Sequence, residues 1–423
     1  MLRNSLIIGV LCFVLCAFLC ACDRSAGTLT AYAPLSSPLV LLSEEGVDAA
    51  EPATAVAPDG SFYVAWVNHA PQNRADVMIG RYEPGKTPAA AVRVNPQAGT
   101  ATAWRGDQPS VAVGKNGSVY VVWAERVESG GKKGTNLYLS VSSDLAQTFA
   151  APVKINDDKV LADHGMHSLG VAADGRIYVS WLDERNVAAP KPSTKAEGHH
   201  MESNRELFIA DSSDGGLTFS RNRKIGDEAC PCCKTAMAIA SDGAIYVGWR
   251  HVLPGDYRHI AITSSADAGA TFSKPVIVSD DKWVLHGCPV SGPSLSVADN
   301  GTLKVLWYAA GEANAPGLYV AESKDKGQSF SARQMVAQET VRGTPVLAPG
   351  PGGSAELAIW DAAGSQGSET KFRTIGQKGP AISVGLNVEL PAAAVSKNEL
   401  FVAYVGKVRE KRSVWLIKAG VKN

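Results

Sequence analysis

The chain has 423 residues, with 41 basic and 41 acidic side chains and 45% hydrophobic residues. That composition excludes a disordered or collagen-like chain and supplies enough apolar mass for one large all-β domain or two smaller ones. The zero net charge gives no long-range attraction for nucleic acid or anionic lipid, so no nucleic-acid partner is expected.

Residues 1–21 read as a targeting segment. Arg3 supplies the positive end, and the apolar run from Leu6 to Leu19 is too short for a comfortable membrane span. The run ends Leu19-Cys20-Ala21-Cys22, which resembles a bacterial lipoprotein signal. The resemblance implies lipidation of Cys22, an anchor in the bacterial cell envelope, and a folded part at the periplasmic or outer surface. Residues 22–37, rich in Ser, Ala, Thr and Pro, read as a tether, and residues 38–423 as the folded domain. A monomer is expected.

The folded region repeats. One unit is an apolar alternation, an Asp-Gly or Asn-Gly turn, and a second alternating run that ends in an aromatic residue. It runs through AVAPDGSFYVAW (55–66), VAVGKNGSVYVVW (111–123), GVAADGRIYVSW (170–181), AIASDGAIYVGW (238–249) and LSVADNGTLKVLW (295–307). Looser copies end at Trp360 and Tyr404. Alternation places apolar residues on one sheet face, and the turn residues accept the positive φ of tight hairpins. Each hairpin is followed by a third strand, such as LYLSVS (137–142), and most by a fourth, such as APVKIN (151–156). Four antiparallel strands recurring every about 50–60 residues predict a β-propeller. The seventh unit stops after three strands, and PLVLLS (38–43) is the spare one. The expectation is all-β: a seven-bladed β-propeller of four-stranded antiparallel blades closed by an N-terminal strand, with six blades as the alternative.

Four turns between third and fourth strands read SSDLAQTF (142–149), SSDGGLTF (212–219), SADAGATF (265–272) and SKDKGQSF (323–330). This pattern resembles the Asp box of the sialidase-like propeller superfamily. Asp144, Asp214, Asp267 and Asp325 are read as turn formers, because Asp in a tight turn accepts backbone N–H bonds.

In an antiparallel blade the Asp turns and the blade-to-blade connections fall on opposite faces. The connections ring the mouth of the central channel and carry the unusual chemistry. They hold Trp104-Arg105-Gly106-Asp107, then His164, Met166 and His167, then Cys230, Cys232 and Cys233, and then His286 and Cys288. An oxidising compartment favours disulfides, and one bridge from Cys288 to the Cys230–Cys233 loop leaves two thiols over. Soft sulfur ligands with imidazole equally suit a redox site or a soft metal such as copper. Lys234 is placed to activate a neighbouring thiol. Both readings stand on sequence. A long insert, residues 182–206, carries His199-His200-Met201-Glu202 and reads as a polar lid or a further ligand set.

The superfamily resemblance also implies an exo-glycosidase of sialidase type or a glycan-binding module. Family sialidases hold the sugar carboxylate with three arginines and use a Tyr nucleophile paired with Glu, and an Asp acid/base. The positions it implies here are Arg105, Arg250 and Arg342, with Asp107, Glu184 and Tyr308. The family's Phe/Tyr-Arg-Ile-Pro motif near the start of the domain is absent, and seven blades depart from the sialidase six. A third reading is an interaction scaffold stapled by disulfides, with an extracytoplasmic protein as partner.

Overall fold

The computed structural model describes residues 40–83, 85–102, 104, 106–187, 203–311, 315–349, 356–364, 367–396 and 399–420. The signal and tether with Cys22, Arg105, and the His199-His200-Met201-Glu202 run lie outside these. Among the described residues the strands form five four-stranded antiparallel sheets and one eight-stranded sheet.

The first group is Asp48–Val56, Phe62–Ala70, Arg74–Tyr82 and Val92–Arg93. The second is Ser110–Val113, Val119–Ser129, Lys132–Ser142 and Val153–Lys154. The third is His164–Val171, Ile177–Asp183, Arg205–Ser212 and Arg223–Ala229, and the fourth is Ala236–Ile239, Ile245–Leu253, Tyr257–Ser265 and Val276–Ile277. These two merge into the eight-stranded sheet through a pairing of Ala229 with His251. The fifth is Ser294–Val297, Leu303–Ala309, Gly317–Ser323 and Gln334–Ala337, and the sixth is Val341–Pro349, Glu356–Gly364, Gly367–Thr374 and Ile382–Leu386. The last group, Glu389–Ser396, Glu399–Val408 and Lys411–Gly420, takes its fourth strand from the other end of the chain. There Val40 pairs with Leu416 and Leu41 with Trp415.

The first strand of each group packs beside the first strand of the next, and that of the last group packs beside that of the first. A central cavity of about 320 Å³ is lined by residues of every group, among them Pro52, Pro109, Ser168, Lys234, Pro293, Pro345 and Pro391.

The second strand of each group is the buried one, and in the first six groups its closing tryptophan carries a polar requirement, the last group having Tyr404 there. Trp66, Trp123, Trp181, Trp249, Trp307 and Trp360 are all essentially inaccessible. A buried indole N–H needs an acceptor. Trp66 donates to Asn68 Oδ1 at 2.9 Å, Trp123 to Glu125 Oε1 at 3.0 Å and Trp181 to Asp183 Oδ2 at 2.7 Å. In these three the acceptor sits two residues on, where strand alternation returns a side chain to the same face. Trp307 reaches Asp281 Oδ2 at 2.7 Å, Trp360 reaches Glu339 Oε1 at 3.0 Å, and Trp249 settles on the Asp227 carbonyl at 3.3 Å.

The four Asp turns share one hydrogen-bond pattern. Asp267 Oδ1 accepts from the Ser265 hydroxyl at 2.7 Å and the Thr271 N–H at 2.9 Å, and its Oδ2 accepts from the Thr271 hydroxyl at 2.6 Å. Asp144, Asp214 and Asp325 repeat it with Thr148, Thr218 and Ser329. The hydroxyl and N–H donors hold the carboxyls of Asp144, Asp267 and Asp325 down at about 2. A carboxyl held below its unfolded value stabilises the fold above that value and stops doing so as it protonates. We therefore expect the melting-temperature deficit of Asp267→Ala, relative to wild type, to be full above the ordinary value of 3.8 and to vanish as pH falls through about 2. Calorimetry of both proteins across that range checks this; a deficit constant with pH would mean that the carboxylate charge is not the stabilising feature.

Candidate functional site

On the face where one group connects to the next, a cleft of about 470 Å³ opens. Its walls come from the connections around Thr102–Asp107, Asp163–Met166, Pro231–Cys232 and Cys288–Val290, with Arg126, Lys133 and Arg205 from the ends of neighbouring strands. Of the residues singled out in the sequence, Asp107, His164, Met166, Cys232 and Cys288 share this cleft.

One wall is braced by a buried charge cluster. Met166 takes a positive φ of 55° where the first strand of the third group shifts register between Gly165 and Ser168. Such a bulge re-aims the backbone, and here the Met166 N–H points at Asp107 Oδ1, at 2.8 Å. Gly165 makes the approach feasible, since a Cβ there would lie 2.8 Å from Asp107 Oδ2. Asp107 Oδ1 also lies 3.1 Å from His167 Nδ1 and 3.5 Å from Lys234 Nζ. Lys234 also donates to the Gln108 carbonyl at 2.7 Å. Burial alone would raise the Asp107 pKa; the charges of His167 and Lys234, with hydrogen bonds from His167 and the Met166 N–H, overcome it and hold the group at about 2. Burial likewise lowers the pKa values of His167 and Lys234, against the pull of Asp107. Lys234 is thus paired with a carboxylate.

His164 has both ring nitrogens engaged. Its Nδ1 lies 2.5 Å from the Thr135 carbonyl, and its Nε2 lies 3.1 Å from Asp158 and 3.5 Å from Asp183. Burial would lower its pKa, but the hydrogen bond to Asp158 and the charges of Asp183 and Asp158 raise it. His167 Nε2 faces the Val122 carbonyl at 3.0 Å. Met166 packs with Leu182, Leu207 and Trp249 in an apolar cluster, and His286 stands exposed against Asp256 at 3.0 Å. Carboxylates, carbonyls and apolar neighbours therefore occupy the imidazoles and the thioether expected as soft ligands.

The cysteines form a separate cluster with Val252. Cys232 and Cys288 are joined by a disulfide, with Cα atoms 6.1 Å apart, and Cys230 and Cys233 are buried free thiols. The bridge from Cys288 to this loop, with two thiols left over, is the arrangement weighed on sequence grounds. Cys230 Sγ lies 3.5 Å from Cys233 Sγ. Hydrogen bonding from Cys233, aided by the Arg258 and Arg250 charges against the opposing effect of burial, brings the Cys230 thiol down to about 7. Burial pushes the Cys233 thiol up.

The arginine set implied by the sialidase resemblance does not converge among the described residues. Arg250 is completely buried; its Nε donates to the Ser291 carbonyl at 2.7 Å and its Nη2 to the Tyr308 carbonyl at 2.9 Å. Its guanidinium lies 4.9 Å from the centre of the Trp283 ring. Tyr308 is buried edge-on to Trp283, with ring centres 5.4 Å apart. Arg342 is exposed and does not line the cleft. Glu184 holds Arg205, with Nη2 to Oε1 at 2.5 Å. The cations that do line the cleft are Arg126, Lys133 and Arg205, and Trp104 stands 42% exposed beside them. Sequence reasoning passed over Lys133 and Arg205; the available signal was their position at the starts of third strands, next to loops already assigned to this face.

No protein-family model and no curated protein matches the sequence. Solved structures match it at low identity. A protein of unknown function from Dyadobacter fermentans is 13% identical with a TM-score of 0.54, over 93% of this chain and 99% of its own. An ulvan lyase of a new polysaccharide lyase family is 10% identical with a TM-score of 0.57, over 91% of this chain and 96% of its own. An alpha-L-arabinanase from Penicillium chrysogenum, complexed with arabinobiose, is 13% identical with a TM-score of 0.50, over 75% and 94%. The lyase and the arabinanase are β-propeller-like enzymes, and at these identities the likeness is one of fold.

The charge cluster gives a measurable expectation. Asp107→Asn leaves the Lys234 ammonium without its counter-charge, which is expected to cost about 3–5 kcal/mol in urea unfolding at neutral pH. Asp107→Asn combined with Lys234→Met is expected to recover most of that loss. A double variant no more stable than the single one would show that the pair is not what the wall depends on.

Proposed function

We propose that this protein is a lipid-anchored, extracytoplasmic, seven-bladed propeller of the sialidase-like kind, and that its cleft binds a saccharide bearing acidic groups. The observation that carries the binding reading is the cleft lining: exposed Trp104 beside Arg126, Lys133 and Arg205. An exposed indole offers a flat apolar face for the C–H side of a sugar ring, while Arg and Lys favour carboxylate or sulfate groups. The fold likeness to an ulvan lyase and an arabinanase is consistent with a carbohydrate ligand. The seven-blade count is supported by the central cavity that residues of every group line.

We assign binding rather than cleavage. A sialidase-type mechanism needs an accessible Tyr and converging arginines, whereas Tyr308 and Arg250 are buried and do not line the cleft. Asp107 already serves the charge cluster and Glu184 holds Arg205.

Calorimetric titration with uronate-containing or sulfated oligosaccharides tests the reading. Trp104→Ala and Lys133→Glu are each expected to weaken binding by about tenfold or more, equivalent to about 1.4 kcal/mol, and a neutral arabino-oligosaccharide is expected to bind more weakly than the acidic ones. Equal affinity for neutral and acidic sugars, or no effect of either variant, would remove the cleft from the account. For the anchor, Cys22→Ser is expected to move the protein from the membrane fraction to the soluble extracytoplasmic fraction.

A further inference from the structure

We propose that Cys230, Cys232, Cys233 and Cys288 make a reduction-gated site for a closed-shell thiophilic cation, Zn²⁺ or Cu⁺, of which the Cys232–Cys288 disulfide is the closed form. This goes beyond saccharide binding and does not depend on it.

The first observation is geometric. Cys230 Sγ lies 3.7 Å from Cys232 Sγ, Cys232 Sγ lies 3.9 Å from Cys233 Sγ, and Cys233 Sγ lies 3.5 Å from Cys230 Sγ. Sulfurs held tetrahedrally at about 2.3 Å from Zn²⁺ are about 3.8 Å from one another. Three sulfurs of the loop thus already outline one face of such a site. Cys288 supplies the fourth, since its sulfur and those of Cys230 and Cys232 lie within 4.8 Å of one another. A backbone hydrogen bond from the Cys233 N–H to the Cys230 carbonyl, at 3.3 Å, closes the loop that presents the three.

The second observation is electrostatic. The Cys230 N–H donates to the Arg250 carbonyl at 2.8 Å, and the guanidiniums of Arg250, with no exposed surface, and Arg258, 2% exposed, are both buried. Arg258 is partly offset by Asp256 at 3.8 Å. Arg250 Nη1 is buried and has no hydrogen-bond partner. Thiols and a disulfide are neutral and give two buried guanidiniums little to balance. Four thiolates around a divalent ion carry two negative charges, and around a monovalent ion three. Such a site would offset these cations and lower the thiol pKa values as metal binding requires.

Cys288 is exposed in the cleft wall, whereas Cys232 is buried, so a reductant meets the bridge at Cys288. One thiolate of a small dithiol attacks Cys288 Sγ and expels Cys232 as thiolate. The second thiol of the reagent then attacks its own mixed-disulfide sulfur and releases Cys288. The reagent leaves as its disulfide, and the protein has gained two electrons and two protons. The incoming cation displaces the thiol protons to solvent.

The test uses the mature full chain, reduced with a dithiol, freed of reagent without oxygen, and titrated with Zn²⁺ against a chromophoric chelator and separately with Cu⁺. The reduced protein is expected to take up a single equivalent, with the oxidised protein weaker by about 100-fold or more. Cys233→Ser and Cys288→Ser are each expected to weaken uptake by the reduced protein by about 100-fold or more, because even second-shell changes at metal sites cost about 10–100-fold. Cys288→Ser alters an exposed residue, and its melting temperature after reduction, compared with that of reduced wild type, separates lost binding from lost folding. Equal uptake by the oxidised and reduced proteins would overturn the proposal. So would unchanged uptake in Cys288→Ser, or reduction that lowers the melting temperature with no uptake of either cation.

Discussion

Six of the seven groups of strands bury a tryptophan whose indole N–H must find an acceptor, and much of the molecule is arranged around where that acceptor comes from. A buried donor without a partner costs about 1–3 kcal/mol. The second strand therefore tends to carry an acceptor two residues past the Trp, which brings a polar side chain to the edge of the connection face. Those acceptors then do a second job. Asp183 takes the Trp181 N–H and also faces His164 and Arg185. Glu125 takes the Trp123 N–H and also the Thr100 hydroxyl at 2.9 Å. Through Asp183 and its contact with His164, part of the cleft lining is tied to the core's own hydrogen-bond requirement.

The fourth group departs from that pattern, and the departure lies beside the sulfur cluster. After Trp249 comes Arg250, whose side chain lies buried against the Ser291 and Tyr308 carbonyls. The indole falls back on the Asp227 carbonyl, at the edge where the third group joins the fourth. A fully buried guanidinium is costly unless its donors and charge are answered. Two of its nitrogens are answered by carbonyls, and its charge is felt by Cys230 and Cys233. The irregular edge, the buried arginine and the cysteine loop thus form one local arrangement, next to a cleft that is also lined by Asp107.

Much of the fold was legible before any coordinates, because each feature depended on local chemistry. Period-two alternation gave the strands, Asp-Gly and Asn-Gly gave the hairpin turns, and the Asp turns follow from hydroxyl and N–H donors within four residues of the carboxylate. The spare strand at 38–43 was legible by counting, and Val40–Leu41 does pair with the last group. The site was legible as a neighbourhood only. Asp107, His164, Met166, Cys232 and Cys288 do line one cleft, since antiparallel order assigns every connection to the same face. Which neighbour each side chain chose was not legible. His164 and His167 turned to carboxylates and carbonyls, and Arg250 and Tyr308 went inward.

By itself the sequence determined the repeat, the turns, the buried tryptophans and the face on which the cysteines lie, because each is set by residues a few positions apart. Only the tertiary structure decided that Cys232 takes Cys288, that Cys230 and Cys233 stay thiols, and that Arg126, Lys133 and Arg205 line the cleft while Arg250 is buried away from it. Those outcomes depend on ångström-scale distances between loops of different groups. The bulge at Met166 and the packing around Arg250 set such distances, and spacing along the chain carries no record of them.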